Sequence, residues 1–264
     1  MTTGAADLLA TIVAAARTAV ADRERERPLP QFTSADALVS RGSAFAAALV
    51  TGPAPRVIAE CKRRSPSRGI LRRPYDPAAH AVQYASAGAA AISVLTEPTF
   101  FGGAPEHLAQ VRAAVTVPVL RKDFIVTDYQ VHEAAALGAD AVLLIAAALN
   151  ETDLARLHAL ATSLGLAVLV EAHDAAELDR SLDAGARIIG VNSRNLRTLS
   201  VDLDVLERLA GRIPDGVIRV AESGIRTGDD IRRFSSAGYD AFLVGERLIT
   251  EPDPGAALAA LRAS

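Results

Sequence analysis

The chain has 264 residues, half of them hydrophobic, and a formal net charge of −3 at pH 7. This length suits one large hydrophobic core, and a chain without net positive charge has no global basic field to attract nucleic acid. Cys61 is the single cysteine, which excludes an internal disulfide and a cysteine-based zinc site and fits a reducing compartment. No apolar run reaches the roughly 20 residues that a helix needs to cross a bilayer. We therefore expect a cytoplasmic protein that binds neither membranes nor nucleic acid.

The first 55 residues contain two predicted helices and no predicted strand. Residues 5–27 have a helical pattern that two prolines terminate. Ser34 can cap a second helix over residues 35–50. Because these helices precede every strand, we interpret them as an N-terminal extension that caps a single domain spanning residues 1–264.

From Val57 onward, short apolar runs alternate with longer segments of helical pattern. Near-continuous apolar strands separated by helices are typical of a parallel sheet, and eight such units close into a barrel of about 250 residues. We therefore predict an α/β fold, a single (β/α)8 TIM barrel. An open doubly wound sheet is the alternative, but the G-x-G-x-x-G loop that it would carry after its first strand is missing. The predicted strands are residues 57–62, 90–97, 117–123, 139–146, 166–172, 187–193, 217–223 and 241–245.

Charged and amide side chains stand at the carboxyl ends of the predicted strands, where such barrels carry their chemistry. In the first strand, Glu60 and Lys62 are two residues apart and therefore leave the same face. Lys122 ends the third strand and Glu171 the fifth, and alternate strands contribute to one inward layer of a barrel. Buried charges are unfavourable unless they are paired or used. We therefore predict that these four residues form an acid–base site.

Two neighbours of this set should face the opposite way. Cys61 alternates with Glu60, and Arg121 directly precedes Lys122, so both are expected to point towards the helices. Cys61 would be a small buried hydrophobe there, whereas Arg121 would need a charged partner. The histidines show no metal-ligand spacing and His173 alone follows a strand end, so we expect no metal.

Glycine-containing turns follow the seventh and eighth strands. Ser223–Gly224 and Gly245 each open a loop that leads into a helix, which is where barrels of this kind commonly bind phosphate. The segment 62–73 is rich in Lys and Arg and contains no acid. Read alone it could bind nucleic acid, but interleaved aromatic residues are lacking. We interpret it as a contact for an anionic substrate, with residues 63–69 as a mobile lid.

Eight stretches follow one another along the chain: IAECKRRSPSRG, SVLTEPTFFGG, LRKDFIV, ALGADAVLLI, VLVEAHD, IGVNSRNL, AESGI and FLVGE. Together they resemble the indole-3-glycerol phosphate synthase family of tryptophan biosynthesis, from about residue 5 to the C-terminus. KDFI and VNSRNL are the most specific of them. The resemblance implies a decarboxylating ring closure of 1-(o-carboxyphenylamino)-1-deoxyribulose 5-phosphate, followed by dehydration, without a metal or redox cofactor.

The resemblance also implies roles for individual residues. Lys122 is the general acid that protonates the substrate carbonyl oxygen, and Glu171 serves the later dehydration. Glu60 assists proton transfer and holds the lysines, while Lys62 binds the substrate carboxylate. The further expected substrate contacts are Ser65, Ser93, Phe101, Phe124, Leu144, Asn192, Arg194, Leu196 and Glu222. The expected phosphate contacts, largely through backbone N–H groups, are Ser223, Gly224, Gly245 and Glu246.

One residue departs from the family pattern, and two alternative functions stay open. Position 246 is Glu where a small polar residue often stands, so its carboxylate must point away from a bound phosphate. Phosphoribosylanthranilate isomerase, another phosphate-binding barrel, would be expected to use a Cys/Asp pair. A non-catalytic phosphate-ligand binder would not require the set Glu60, Lys122 and Glu171.

The expected partner is a phosphorylated anionic small molecule, and the chain is expected to be a monomer that makes at most transient contacts with pathway enzymes.

Overall fold

The computed structural model describes residues 7–32 and 42–263. Its main feature is a closed barrel of eight parallel strands, each followed by a helix, which confirms the predicted TIM barrel. Consecutive strands pair with one another, and the eighth strand pairs with the first. The strands are β1 (Arg56–Cys61), β2 (Ala91–Leu95), β3 (Val119–Lys122), β4 (Ala141–Ile145), β5 (Ala167–Ala172), β6 (Ile188–Asn192), β7 (Ile218–Glu222) and β8 (Ala241–Val244).

Helices surround the barrel and precede it. A short antiparallel pair, Arg64–Ser65 with Gly69–Ile70, was not predicted and folds the basic loop after β1 back on itself. Two 3-10 helices cover Leu29–Phe32 and Ala146–Ala148. The helices are α1 (Leu8–Glu26), α2 (Gly42–Val50), α3 (Pro77–Ser86), α4 (Pro105–Ala114), α5 (Asp128–Ala136), α6 (Glu151–Ser163), α7 (Ala175–Asp183), α8 (Asp204–Ala210), α9 (Gly228–Ser236), α10 (Glu246–Ile249) and α11 (Pro254–Ala263).

The strands are buried on both faces, since alternate residues face the barrel interior and the helices. In β1, Ile58 belongs to the interior cluster, while Ala59 and Cys61 belong to the cluster beneath the helices. In β4, Leu143 faces inward and Leu144 outward in the same way. Full burial of a Leu or Ile side chain stabilises the fold by roughly 1.5–3 kcal/mol. A one-residue shift of a strand would move these side chains to the other face, so their burial fixes the register and thereby which residues face the barrel mouth.

Helix α1 lies at the mouth of the barrel, at the carboxyl ends of the strands. The Asp7 carboxylate caps the helix by accepting the backbone N–H of Leu9 at 3.1 Å. Leu9, Ile12 and Ala16 recur at helical spacing and join the interior cluster. Ile12 also lines the cavity at the mouth. The N-terminal helix is therefore positioned to form one wall of a binding site.

Helix α2 closes the opposite end of the barrel. Phe45 and Leu49 are fully buried in the interior cluster. A Cβ on Gly42 would lie 2.4 Å from the backbone nitrogen of Ala167, so a glycine permits the helix to start against the first residue of β5. The predicted start of this helix and its Ser34 cap lie outside the described residues.

Candidate active site

One cavity of about 320 Å³ opens at the carboxyl ends of the strands. Its walls come from the strand ends, the loops that follow them and helix α1. The structure thus brings together most of the site residues predicted from the sequence, although the first and last of them, Glu60 and Glu246, are 186 residues apart along the chain. Those that line the cavity are Glu60, Lys62, Ser65, Phe101, Lys122, Phe124, Glu171, Asn192, Arg194, Leu196, Glu222, Ser223, Gly224, Gly245 and Glu246.

Two nominated residues do not line the cavity. Leu144 faces the helices and is fully buried in the outer cluster, so its expected place beside the substrate ring is corrected. Its neighbours Leu143 and Ile145 line the cavity instead, because side chains alternate along β4. Ser93 pairs with Glu60 across the strands and is fully buried, without a hydrogen-bond partner for its Oγ among the described residues. It therefore stands beside Glu60 without reaching the cavity surface.

Lys122 and Glu171 form the centre of the site. The Lys122 ammonium donates to Glu171 Oε2 at 2.9 Å and lies 3.7 Å from Glu222 Oε2. The side-chain amide of Asn192 donates to Glu171 Oε1 at 2.8 Å. Both oxygens of this nearly buried carboxylate are thus held by a named donor, which fixes the orientation of Glu171 and through it the position of the lysine.

The two carboxyls beside Lys122 have pKa values that shift in opposite directions. Burial and the Glu171 charge raise the pKa of Glu222 well above its usual value. Burial also acts on Glu171, but the Lys122 ammonium and the Asn192 amide outweigh it and lower the pKa of Glu171. Burial opposes the charge on Lys122, whereas Glu171, Glu222 and Glu60 together raise the pKa of this lysine. These shifts favour a charged Lys122, an ionised Glu171 and a protonated Glu222.

A second ion pair lies at the carboxyl end of β1. Lys62 Nζ lies 2.6 Å from Glu60 Oε1, with both side chains largely buried. A Cβ on Gly245 would lie 2.3 Å from that same oxygen, so the glycine at the end of β8 leaves room for the Glu60 carboxylate. The amino group of Lys62 therefore faces the cavity as a charged group that could bind a substrate carboxylate.

Gly190 is a site residue that sequence reasoning missed. A Cβ at this inward position of β6 would lie 1.9 Å from Glu222 Oε1, so the acid can keep its position only because residue 190 is glycine. A signal was present, because a glycine inside the apolar strand IIGVN often marks a close approach by another group.

Two aromatic rings form the side of the cavity near β2 and β3. The ring centroids of Phe101 and Phe124 are 6.0 Å apart at an interplanar angle of 36°. The buried Glu97 carboxylate accepts the backbone N–H groups of Thr99, Phe100 and Phe101 at 2.7–2.9 Å. Glu97 thus shapes the loop that presents Phe101.

The expected phosphate end lies after β7 and β8. Ser223 and Gly224 both have left-handed backbone conformations, with φ values of 66° and 73°. A Cβ on Gly224 would approach Leu203 within 2.6 Å, which is a second reason for glycine there. The Glu246 carboxylate lies 3.0 Å from the Arg68 guanidinium, so this acid is paired with the basic loop after β1.

The outward neighbours of the site behave as the strand alternation predicts. Cys61 is fully buried beneath α3, where burial and the Glu60 charge raise the pKa of its thiol. Arg121 is fully buried and paired with Asp123 and Glu133 at 2.9 and 2.7 Å. Cys61 therefore faces away from the cavity and is not available as an acid or base within it.

A second cavity of about 250 Å³ adjoins the first and shares Glu171 with it. His173 lines this second cavity, with Nδ1 2.7 Å from the backbone oxygen of Asn192. Across residues 7–32 and 42–263, no helix has the length and hydropathy to cross a membrane, and no group of three His, Cys, Asp or Glu residues has metal-binding geometry. The fold and the main cavity together define a (β/α)8-barrel enzyme with an acid–base centre and a mouth suited to an anionic substrate.

Comparisons with known proteins agree with this class. A family model described as indole-3-glycerol phosphate synthase matches residues 9–261. The protein of that name from Beutenbergia cavernae is 50% identical over 258 residues, covering 97% of this chain and 95% of its own. The one from Parafrankia sp. (strain EAN1pec) is 56% identical over 209 residues, covering 79% and 78%. The chain belongs to the indole-3-glycerol phosphate synthase family, and its function is that of this family of carboxy-lyases.

Solved structures agree on the fold. A crystal structure of 3-hexulose-6-phosphate synthase superposes with a TM-score of 0.64 at 18% identity, covering 79% of this chain and 98% of that one. At this identity the similarity shows the barrel architecture alone. The family match favours the synthase over both alternatives, the isomerase and the non-catalytic binder.

Proposed function

We propose that this chain closes the indole ring of 1-(o-carboxyphenylamino)-1-deoxyribulose 5-phosphate with Lys122 as the proton donor. The observation that carries the proposal is the Lys122–Glu171 pair, 2.9 Å apart, inside a cavity that also holds a basic side chain, two aromatic rings and the glycine turns after β7 and β8. This arrangement matches a substrate with a carbonyl, a carboxylate, an aromatic ring and a phosphate.

The first chemical step is a carbon–carbon bond formation. The ring carbon that bears the carboxylate attacks the ribulose C2 carbonyl, and the C=O π electrons move to oxygen. Lys122 donates a proton to that oxygen, and its charged state is favoured by Glu171 and Glu222. Breaking of the ring-carboxylate bond then releases CO2, and its electron pair restores the aromatic ring. The aromatic side chains Phe101 and Phe124 hold the ring in reach.

The second step removes water. The hydroxyl formed in the first step takes up a proton and leaves as water, while the adjacent carbon gives up a proton and its C–H electron pair forms the indole double bond, so the net loss is one water. Glu171 serves this step, because its lowered pKa keeps it as a carboxylate beside the donor. Glu60 assists proton transfer and holds Lys62, which binds the substrate carboxylate until CO2 departs.

The remaining groups orient the substrate. Leu143 and Ile145 take the place beside the ring that was assigned to Leu144. The residues proposed to contact the sugar and the ring of the substrate are Ser65, Asn192, Arg194, Leu196 and Glu222. The groups proposed to bind its phosphate are Ser223, Gly224, Gly245 and the backbone N–H of Glu246. We also propose that the chain works in the cytoplasm as a monomeric single domain, with residues 1–55 as its extension.

A direct assay tests the function. The purified chain is mixed with the carboxyphenylamino ribulose phosphate, and indole fluorescence is followed over time. We expect a rise that saturates with substrate concentration and that is accompanied by one CO2 for each indole formed. A folded preparation that forms no indole would refute the proposal.

A further inference from the structure

A buried network of ion pairs lies on the helix side of β3, next to the proposed proton donor Lys122. Arg121, the neighbour of Lys122 on β3, is fully buried on the helix side. Its guanidinium donates to Asp123 at 2.9 Å and to Glu133 at 2.7 Å, and also to Thr96 Oγ1 and the Gln130 carbonyl at 3.1 and 3.0 Å. These four hydrogen bonds hold β3 and helix α5 at a fixed separation.

The network of ion pairs extends to the N-terminal helix α1. Glu133 on α5 accepts two parallel hydrogen bonds from Arg23 on α1, at 2.8 Å from Nε and 3.0 Å from Nη2. Arg23 and Glu133 are 110 residues apart in sequence, and the Arg23 side chain is 22% exposed while that of Glu133 is 6% exposed. The set Arg23, Glu133, Arg121 and Asp123 carries two positive and two negative charges, so it balances its own charge out of water.

Helix α1 links this network of ion pairs to the substrate cavity. Arg23 lies eleven residues after Ile12, which is about three helical turns or roughly 16 Å along the helix. Next to Arg23, Val20 packs on Tyr129, and the Tyr129 hydroxyl donates to the Arg23 carbonyl at 3.2 Å. At the other end, Ile12 lines the cavity. A helix fixed at its C-terminal half by a bidentate ion pair therefore holds Ile12 at a fixed height over the mouth.

We propose that Arg23 is a positioning residue for substrate binding. Through Glu133 and Arg121 it ties the helix that carries Ile12 to the strand that carries Lys122, so that the two walls of the cavity keep one separation. A bidentate guanidinium–carboxylate pair suits this role because it fixes direction as well as distance. The inference rests on the proposed function for the identity of the substrate, but its contacts do not involve the reacting atoms.

The test compares Arg23→Gln with Arg25→Gln in the full chain. Arg25 lies on the same helix, is 77% exposed and pairs with Asp22, so it is a matched control. We expect Arg23→Gln to raise KM and the dissociation constant of indole-3-glycerol phosphate by about five- to twentyfold, with kcat changed less than about threefold. Arg23→Lys, which keeps the charge without the planar fork, is expected to fall between Arg23→Gln and the unchanged chain. Arg25→Gln should leave all these quantities unchanged.

A double-mutant cycle with Ile12→Ala identifies the route. If Arg23 acts by placing Ile12, the double variant should raise KM no further than the more damaging single change. Additive effects, or an Arg23→Gln variant that retains the original KM, would overturn the inference. Failure of the proposed function is distinguishable, because the unsubstituted chain would then form no indole-3-glycerol phosphate, whereas failure of this inference leaves its turnover intact and shows only in the comparison of Arg23→Gln with Arg25→Gln.

Discussion

Lys122 Nζ lies 2.9 Å from Glu171 Oε2 and holds a second carboxyl, that of Glu222, at 3.7 Å. One ammonium therefore lies between two acids whose pKa values move in opposite directions. Pairs of titratable groups whose surroundings separate their pKa values are typical of acid–base sites. This relationship gives each of the three residues a distinct expected response to substitution.

Replacing Lys122 with Met should remove the proton donor while preserving much of the side-chain volume. We expect kcat to fall by about 10³-fold or more, since a positioned acid typically contributes 10²–10⁴-fold. The dissociation constant of indole-3-glycerol phosphate should change far less, because the ring walls and the turns after β7 and β8 are untouched. Steady-state kinetics and titration calorimetry measure the two effects, with circular dichroism as the folding control. Near-normal turnover would contradict the assignment of the acid.

Glu222 and Glu171 should differ when each is replaced by Gln. Glutamine resembles a protonated carboxyl, so Glu222→Gln preserves the state that the raised pKa of Glu222 favours. Glu171→Gln instead removes a carboxylate that the neighbouring lysine and amide keep ionised. We expect Glu222→Gln to lower kcat by about tenfold or less, and Glu171→Gln by about 10²-fold or more. The reverse order in steady-state kcat would show that the proton resides on the other carboxyl.

The barrel could be predicted because its signals are local. Each strand is a short apolar run and each unit repeats the pattern, so register follows from alternation. The same rule shows that Leu144 faces the helices, whereas motif similarity had placed it beside the ring. The Arg23–Glu133 pair could not be read from sequence, since it joins positions 110 residues apart and either charge alone resembles an ordinary exposed one. Long-range polar contacts of this kind carry no periodic signal.

Gly190→Ala tests whether the missing side chain in β6 is needed for the acid–base centre. The added Cβ would lie 1.9 Å from Glu222 Oε1, so the acid must shift from its present position beside Lys122. We expect kcat to fall by about tenfold or more, with a smaller change in the melting temperature. Gly211→Ala is the control, because a Cβ at that helix end meets no atom within 4 Å. Equal kinetics for the two alanine variants would show that Glu222 adapts without functional consequence.

His107 should make the fold less stable in mild acid. Burial lowers the pKa of His107, and its ring packs edge-on against Tyr75 with Nδ1 unpartnered among the described residues. A histidine whose pKa is lower in the folded state binds its proton more readily when unfolded, so protonation favours unfolding. Stability from this group is present above the unfolded pKa of about 6.5 and is lost as pH falls from there towards the lowered folded value.

The His107→Phe variant isolates this contribution from those of other titrating groups. Urea unfolding is measured at about pH 7.5 and about pH 5.5 for both proteins, on either side of the ordinary histidine pKa. We expect the original chain to lose more stability between the two values than the variant, because phenylalanine preserves the ring contact with Tyr75 and cannot titrate. His80 and the buried acids remain in both proteins, so their effects cancel in the difference. An identical loss of stability in the two proteins would mean that the pKa of His107 is the same in the folded and the unfolded chain.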